Sequence, residues 1–370
     1  MKIGILGAGQ LARMLAEAGM PLGHEFVFLD PAEQPSAARL GLHLQAPWND
    51  SSALAVLAQC DRVTCDFENV PARVLSTLAQ QTQVRPSARA FEVAQDRLTE
   101  KQQFEAIGLA TPGYRAVSSR PELIEAVERL GLPAVLKTRR LGYDGKGQCV
   151  LQQREDLELA WQQLGGEDLI LEQWVAFDHE ASITAVRSST GDVRTYPLST
   201  TVHRAGMLRF AHSAPVAGAL QAQAEQAVLR LLDALDYVGC MTLELFVLGD
   251  QLMANECAPR AHNSAHWTIE AAVCSQFENH LRAVCDAPLG DTTARGQALM
   301  INFIGQLPPA DPWLQVPGLA WHDYNKTARI GRKVGHATLV AHDQPALIEQ
   351  IERIAPLLEP AEPALLSALF

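Results

Sequence analysis

No Cys-x-x-Cys pair occurs in this 370-residue sequence, and its seven cysteines (Cys60, Cys65, Cys149, Cys240, Cys257, Cys274 and Cys285) fall at irregular spacing. That argues against a zinc site and against a disulfide framework. Most sit in apolar runs such as VTCDF and YVGCMTLELF, the pattern of buried, reduced thiols in a cytoplasmic protein. No apolar run reaches the roughly 18 residues that span a bilayer, so no membrane is expected among the partners. The chain passes at once into an apolar strand, so no signal peptide is expected. Positive charge is also short. Against 42 Asp and Glu stand 30 Lys and Arg, a net charge of −12. Such a chain repels phosphate backbones, and nucleic acid is not expected as a partner. A local Lys/Arg cluster can still hold a small phosphorylated ligand in a cleft. The Walker pattern GxxxxGK[ST] is missing, and no convincing Ser/His/Asp or Cys/His constellation is found.

What is present is the composition of an ordinary globular enzyme, with 48% hydrophobic and 19% charged residues. The length calls for two to four domains. Residues 2–29 read as strand, glycine turn, helix and strand, with Leu11, Met14, Leu15 and Ala18 at helical spacing. Further units alternate to about Pro86, which implies a parallel sheet with covering helices. Asp96–Ile107 reads as a polar helix carrying Arg97 and Lys101. From Tyr114 the texture changes. Helix Pro121–Leu130, strand Ala134–Thr138, a glycine-rich loop and strand Gln148–Gln152 come first, then long strands at Glu180–Arg187 and Val193–Thr200. Glu270–Val284 reads as one helix. Pro308, Pro309, Pro312 and Pro317 mark a linker to a strand-rich module closed by helix Gln344–Ile354.

Gly7-Ala8-Gly9-Gln10-Leu11-Ala12 matches G-x-G-x-x-A after a strand, and Asp30 ends the next strand. That pattern suits a dinucleotide, with bare backbone at the pyrophosphate and an acid on the ribose. It equally suits a tight turn with close helix packing, or another phosphate.

VLKTRRLGYDGKGQCVL carries more information. Lys137 lies on a strand, and Gly142, Gly145 and Gly147 follow with Lys146 among them. A glycine-rich hairpin lets backbone N–H groups close over phosphate oxygens, and the lysines add charge. Downstream, Glu172 and the backbone near Gln173, Trp174 and Val175 can hydrogen-bond an adenine edge, and Glu180 can accept from a ribose. Glu244 lies in an otherwise apolar strand and Glu256 in LMANECAPR. A lone buried carboxylate is costly, and Mg²⁺ is a fitting partner if both acids share a face. A two-residue turn at Gly249-Asp250 sets residue 244 opposite 255 and parts the acids. A three-residue turn, Leu248–Asp250, sets 244 opposite 254 and unites them. The odd-length turn is therefore expected.

Together these residues look like the ATP-grasp fold, in which two α+β lobes hold ATP and magnesium bridges its phosphates. The runs GAGQLARML, CDFENVP, QDRLTEKQ, GYDGKGQ, NECAPRAHNSAHWT, SQFENHLRA and KTARIGRKVGHATL resemble, in order and across nearly the whole chain, the N5-carboxyaminoimidazole ribonucleotide synthetase family.

The resemblance implies a mixed α/β and α+β architecture. A Rossmann-like pre-ATP-grasp domain would span 1–95, and a two-lobed ATP-grasp domain 96–305, with a mobile lobe near 113–173. A small β-rich domain would span 306–370. It implies an ATP-dependent ligase of purine biosynthesis that carboxylates aminoimidazole ribonucleotide with ATP and bicarbonate through carboxyphosphate, in a cytoplasmic homodimer.

Matched to the family motifs, Arg97, Lys137 and Lys146 face phosphates under the loop Gly142, Tyr143, Asp144, Gly145, Lys146, Gly147 and Gln148. Glu172, Gln173, Trp174 and Val175 hold adenine, Glu180 the ribose, and His203 stands near the nucleotide. Glu244 and Glu256 bind Mg²⁺ with Asn255 beside them. Arg260 holds bicarbonate or carboxyphosphate, as a guanidinium fork suits planar oxyanions. Arg260, Lys137 and Lys146 are the candidate catalytic residues. Glu68, Tyr143, His262, Asn263 and Ser264 border the acceptor nucleotide, and Lys326, Arg329, Arg332 and Lys333 are candidates for its 5′-phosphate.

The chain departs from the family in placing Ala12, Arg140-Leu141, Ala265 and Asn325 where glycine is common. Rival readings are another ATP-grasp ligase, an NAD-dependent oxidoreductase built on the N-terminal turn, and a nucleotide sensor with a decayed site.

Overall fold

The computed structural model describes residues 1–370 except 143–144, 215–217, 367–368 and 370. The N-terminal units form a four-stranded parallel sheet in the order Leu42–Leu44, Glu25–Leu29, Lys2–Leu6, Arg62–Cys65. Its strands Lys2–Leu6 and Glu25–Leu29 are apolar on both faces, as a sheet covered on both sides requires. Ile3, Ile5, Phe26 and Phe28 face the helix Gln10–Gly19. Val27, Leu29 and Val63 face Leu57 and Leu75 of the helices Ser51–Leu57 and Ala72–Leu78.

A second, antiparallel sheet runs Tyr114–Val117, Leu169–Gln173, Ala134–Thr138, Gln148–Leu151. The helices Arg120–Leu130 and Asp156–Leu164 cover it around Leu123, Leu136 and Leu171. The glycine hairpin leaves this sheet between Ala134–Thr138 and Gln148–Leu151.

The largest sheet has nine strands. From one edge it runs Gln251–Ala258, Gly239–Leu248, His179–Arg187, Ser199–Arg204, Met207–Ser213, Gln297–Ile304, Lys333–Ala341 and Leu319–Asp323, with Val193–Thr195 on a branch. The C-terminal strands therefore extend the central sheet rather than forming their own, because the buried strand Gln297–Ile304 pairs on both sides.

Three local expectations are corrected. The strand read over 193–200 is two, Val193–Thr195 and Ser199–Arg204, with Pro197 between them unable to donate to a ladder. The helix read over 270–284 breaks into Thr268–Ala271 and Gln276–Val284, where Ser275 caps the second by accepting from Glu278 N. The proline-rich linker contains a short helix, Ala310–Leu314.

The helix Gln276–Val284 joins the N-terminal sheet to the central one. Its fully buried His280 meets Thr64 Oγ1 at 2.8 Å and accepts from Cys240 N at 3.1 Å.

Candidate active site

The hairpin under the two glutamates turns through Gly249 and Asp250 alone, with Leu248 opposite Gln251. The expected three-residue turn is thus wrong, and a regular ladder would set Glu244 opposite Asn255. Instead the register slips between Glu244 and Leu245, and Glu244 pairs with Glu256. Asn255 is the extra residue of a β-bulge. The bulge, rather than the turn, puts both acids on one face.

Glu256 Oε2 takes a hydrogen bond from Arg97 Nη1 at 2.8 Å, and its side chain stays 40% open to the cleft. Glu244 Oε1 lies 3.1 Å from His262 Nε2. Burial and the facing Glu256 push the Glu244 carboxyl above its ordinary range. Burial acts the same way on Glu256, but the Arg97 guanidinium outweighs it and holds that carboxyl down. Beside them, the buried Asn255 Oδ1 has no hydrogen-bond partner. Two carboxylates and an orphaned amide oxygen are the hard oxygen donors that suit Mg²⁺. Among the described residues no group of three or more His, Cys, Asp or Glu encloses a metal. The pair therefore suits an ion whose remaining ligands are phosphate and water.

His262 is fixed by its neighbours. Ser182 Oγ donates to Ser264 Oγ at 2.8 Å, and Ser264 Oγ lies 2.9 Å from His262 Nδ1. Burial, then Arg260, push the imidazole well below its ordinary pKa, so it is neutral. With Nδ1 accepting from Ser264, Nε2–H points at Glu244. Ser264 is itself buried and lines neither cleft described below, so it orients His262 rather than bordering a ligand directly. Asn263 reaches both clefts, but its amide exchanges hydrogen bonds of 3.0 and 2.6 Å with Asn302. Arg260 Nε donates to Glu68 Oε2, and Nη1 donates to Ala261 O at 2.9 Å.

On the opposite lobe, Lys137 Nζ donates to Glu172 Oε2 at 2.9 Å, and the buried Lys101 Nζ lies 3.7 Å from the same oxygen. Burial alone would raise the Glu172 carboxyl, but Lys137 and Lys101 overrule it and hold it at about 2. His203 Nδ1 meets Glu180 Oε2 at 2.8 Å. Burial lowers this imidazole's proton affinity, but Glu180 more than restores it, so the net shift is upward. Trp174 is half-exposed beyond the end of Leu169–Gln173. In the glycine hairpin, Gly145 and Gly147 have φ of +76° and +70°. A Cβ on Gly147 would stand 2.6 Å from Thr138 Oγ1, and one on Gly145 would stand 2.9 Å from Ala205 O. Both glycines are therefore required by the loop's shape and its seat against the 205–206 turn. Tyr143 and Asp144 lie outside the described residues. Leu141 and Asn325 both have positive φ, 62° and 52°. These are conformations that the glycine common in the family adopts freely.

Two clefts meet at this site. One, of about 150 Å³, is lined by Arg97, Gly142, His203, Glu244 and Glu256 among others. The other, of about 550 Å³, is lined by Gln10, Asp30, Trp48, Lys146, Lys326, Arg329 and Arg332 among others. Glu68, Arg260, His262, Asn263 and Lys333 belong to both walls. Lys146 thus lies on the second cleft. Lys137, Glu172, Gln173, Trp174, Val175 and Glu180 line neither cleft.

Three N–H groups of the N-terminal glycine turn are taken by the chain's own carboxylates. Asp66, from the end of the neighbouring strand, accepts from Gly9 N at 2.8 Å and Ala12 N at 3.1 Å. Asp30 takes Ala8 N at 2.9 Å. A Cβ on Gly7 would fall 1.5 Å from Asp66 Oδ1. The chain's own carboxylate occupies the place where a pyrophosphate would lie, which removes the basis of the oxidoreductase reading. Burial raises the Asp66 carboxyl to about 7, against the hydrogen bond from Ala12 N.

Sequence reasoning assigned no role to Asp66, Glu100, Lys101 or Trp48. For Lys101 a signal existed. It stands four residues after Arg97, on the same helix face.

Comparison with known proteins agrees with this geometry. The chain matches the models of a ribonucleotide synthetase preATP-grasp domain over residues 1–95 and an ATP-grasp domain over 102–277. It also matches that of a phosphoribosylaminoimidazole carboxylase C-terminal domain over 298–350. It is 48% identical over 360 residues to the N5-carboxyaminoimidazole ribonucleotide synthase of Pseudomonas aeruginosa, covering 97% of this chain and 100% of that one. The crystal structure of the synthetase from Thermus thermophilus superposes with a TM-score of 0.92 at 47% identity, covering 96% of this chain and 98% of that one. The synthase of Aspergillus clavatus, solved with ADP and 5-aminoimidazole ribonucleotide, gives 0.88 at 29% identity, covering 100% and 98%. With two thirds of its length and far more matched at such identity, the chain belongs to the N5-carboxyaminoimidazole ribonucleotide synthase family of ATP-grasp ligases.

Proposed function

We propose that this chain uses ATP and bicarbonate to carboxylate the exocyclic amine of 5-aminoimidazole ribonucleotide, giving N5-carboxyaminoimidazole ribonucleotide, ADP and phosphate. The observation that carries the reading is the shared wall of the two clefts, where Arg260 and His262 stand between the Glu244/Glu256 pair and the basic loop, whose Lys333 reaches both. A phosphorylated intermediate made in one cleft would meet an amine held in the other without crossing solvent.

The bicarbonate oxygen attacks the γ-phosphorus, and the bond to ADP breaks. The product is carboxyphosphate. The amine then takes the carboxyl group, directly or after C–O cleavage to CO₂; phosphate leaves and the amine gives up a proton. Phosphoryl transfer asks chiefly for positioning and charge neutralisation. Arg97, Lys137 and the 142–148 loop supply these at the phosphates, and Glu172 to Val175, Glu180 and His203 hold the nucleoside. Arg260 holds the planar oxyanion. His262 keeps Glu244 oriented and donates to it. Glu244, Glu256 and Asn255 would hold Mg²⁺, which neutralises phosphate charge when bound. Lys326, Arg329, Arg332 and Lys333 bind the 5′-phosphate, and Lys146 acts from the same cleft.

ADP release that requires both bicarbonate and aminoimidazole ribonucleotide tests this reading. Turnover with formate in place of bicarbonate would point to a different ATP-grasp ligase.

The domain limits 1–95, 96–305 and 306–370, a homodimer and a cytoplasmic location belong to the same proposal. Seven free thiols accord with a reducing compartment, and among the described residues no helix is long and apolar enough to cross a membrane. Sedimentation velocity checks the dimer.

A further inference from the structure

The Asn255 bulge has its own support. The strand Gln251–Ala258 is the edge of the nine-stranded sheet, so one side of its backbone has no neighbouring strand. Buried backbone groups there need partners from elsewhere. The helix Arg97–Ala106 lies along that edge and provides them. Lys101 Nζ donates to Asn255 O, and Glu100 Oε1 accepts from Cys257 N at 2.7 Å. Glu100 and Lys101 are 2% and 1% exposed, so neither bond competes with bulk water. One turn earlier, Arg97 reaches past the bulge to the Glu256 carboxylate itself. Residues 97, 100 and 101 share one helix face, and each meets a different part of the segment 255–257.

In a regular strand, a residue's N–H and C=O point to the same edge, and successive residues alternate. Here Ala254 N points outward to Ala110 O at 2.8 Å, and the next outward groups are the carbonyl of Asn255 and the N–H of Cys257, flanking Glu256. Lys101 and Glu100 hold those two groups. They therefore fix the segment in the slipped register that sets Glu256 opposite Glu244.

We propose that Glu100 and Lys101 are positioning residues that clamp the bulge at Asn255 and so hold Glu256 on the same face as Glu244, ready for a divalent cation. Lys101 adds a second link. Its 3.7 Å approach to Glu172 ties the bulge to the strand that leads into the adenine-side segment. The inference rests on the assignment of the two glutamates to the metal.

The test uses Mn²⁺ as the probe, with its binding to the full chain in the presence of ADP followed by electron paramagnetic resonance. Lys101→Met is expected to weaken Mn²⁺ binding roughly 10- to 100-fold, the range for supports behind a metal ligand. Metal-free ADP binding, measured in chelator, should hold to within about threefold. Glu100→Gln keeps an acceptor oxygen for Cys257 N and is expected to retain most of the Mn²⁺ affinity, whereas Glu100→Leu removes it and should match Lys101→Met. If Lys101→Met does not fold, Lys101→Gln, whose amide is too short to reach Asn255 O, takes its place with the same expected loss. Wild-type Mn²⁺ affinity in a folded Lys101 variant overturns the clamp. So does a loss of turnover with metal affinity unchanged, which would mark a merely structural role. Absence of Mn²⁺ binding in the unaltered protein would instead overturn the metal assignment, so the two failures are distinguishable.

Discussion

Glu244 and Glu256 stand opposite each other in the ladder because Asn255 is bulged out of it. Without that extra residue, the two-residue turn at Gly249-Asp250 would send the second acid to the other face. Burial, and then this proximity, leave Glu244 with the higher proton affinity, while Arg97 keeps Glu256 ionised. Glu256→Gln keeps the shape and the bulge but removes the charge. It is expected to lower kcat by about 100-fold or more, the scale of several kcal/mol of lost charge stabilisation. Its far-ultraviolet circular dichroism should match the unaltered protein. Near-normal ADP release would remove Glu256 from the metal site.

The basic loop predicts a change of the opposite kind. Lys326, Arg329 and Arg332 line the larger cleft and not the one that holds Arg97, while Lys333 lines both. Each charge-assisted contact to a phosphate is worth about 1.5–3 kcal/mol. Arg332→Ala should therefore raise the KM for aminoimidazole ribonucleotide about tenfold or more and leave the KM for ATP nearly unchanged. A rise in the ATP KM alone would assign the loop to the wrong nucleotide.

How far these sites were legible depended on what kind of signal each leaves. Glu244 stood out because a carboxylate in CMTLELFV is an anomaly that asks for a partner. The three glycines of the hairpin stood out because two of them need positive φ and close approach. The bulge left no mark, since any residue type can occupy it, and parity applied to the turn gave the wrong loop length while reaching the right face. Asp66 was invisible for another reason. Its role depends on Arg62–Cys65 lying beside Lys2–Leu6 in the sheet, a pairing of residues 59 positions apart (Ile3 with Arg62) that local sequence does not reveal. The polar composition of the helix Arg97–Ala106 gave no sign that Glu100, Lys101 and Phe104 are buried.

Asp66 carries a pH prediction. Its carboxyl is raised from 3.8 to about 7 in the folded chain. Between those values the unfolded chain is ionised while the folded chain keeps the proton, so stability falls as pH rises through the window. A rise from 3.8 to about 7 corresponds to about 4 kcal/mol. Asp66→Asn retains an oxygen for Gly9 N and Ala12 N but cannot ionise. Urea midpoints measured from about pH 4 to 8 should fall less steeply for this variant than for the parent. Parallel curves would show that the helix terminus keeps Asp66 charged throughout. The same filled turn predicts no binding of NAD by calorimetry in the parent protein.

Glu172 tests the opposite sign. Its side chain is 3% exposed and is shared by Lys137 at 2.9 Å and Lys101 at 3.7 Å. The two ammonium groups hold it at about 2, below its ordinary 4.5. Its stabilising contribution is therefore present above about pH 4.5 and is lost as pH falls toward 2. Glu172→Gln leaves two cations facing a neutral amide in a buried site. Removing one partner of a buried ion pair costs about 3–5 kcal/mol, because the remaining charge is left uncompensated. The variant should unfold at markedly lower urea at pH 7, and the difference from the parent should narrow below about pH 4. Lys101→Met added to Glu172→Gln takes away one of the stranded charges, so the double variant should recover part of the loss. Simple addition of the two single effects would mean that Lys101 and Glu172 do not interact across their 3.7 Å separation.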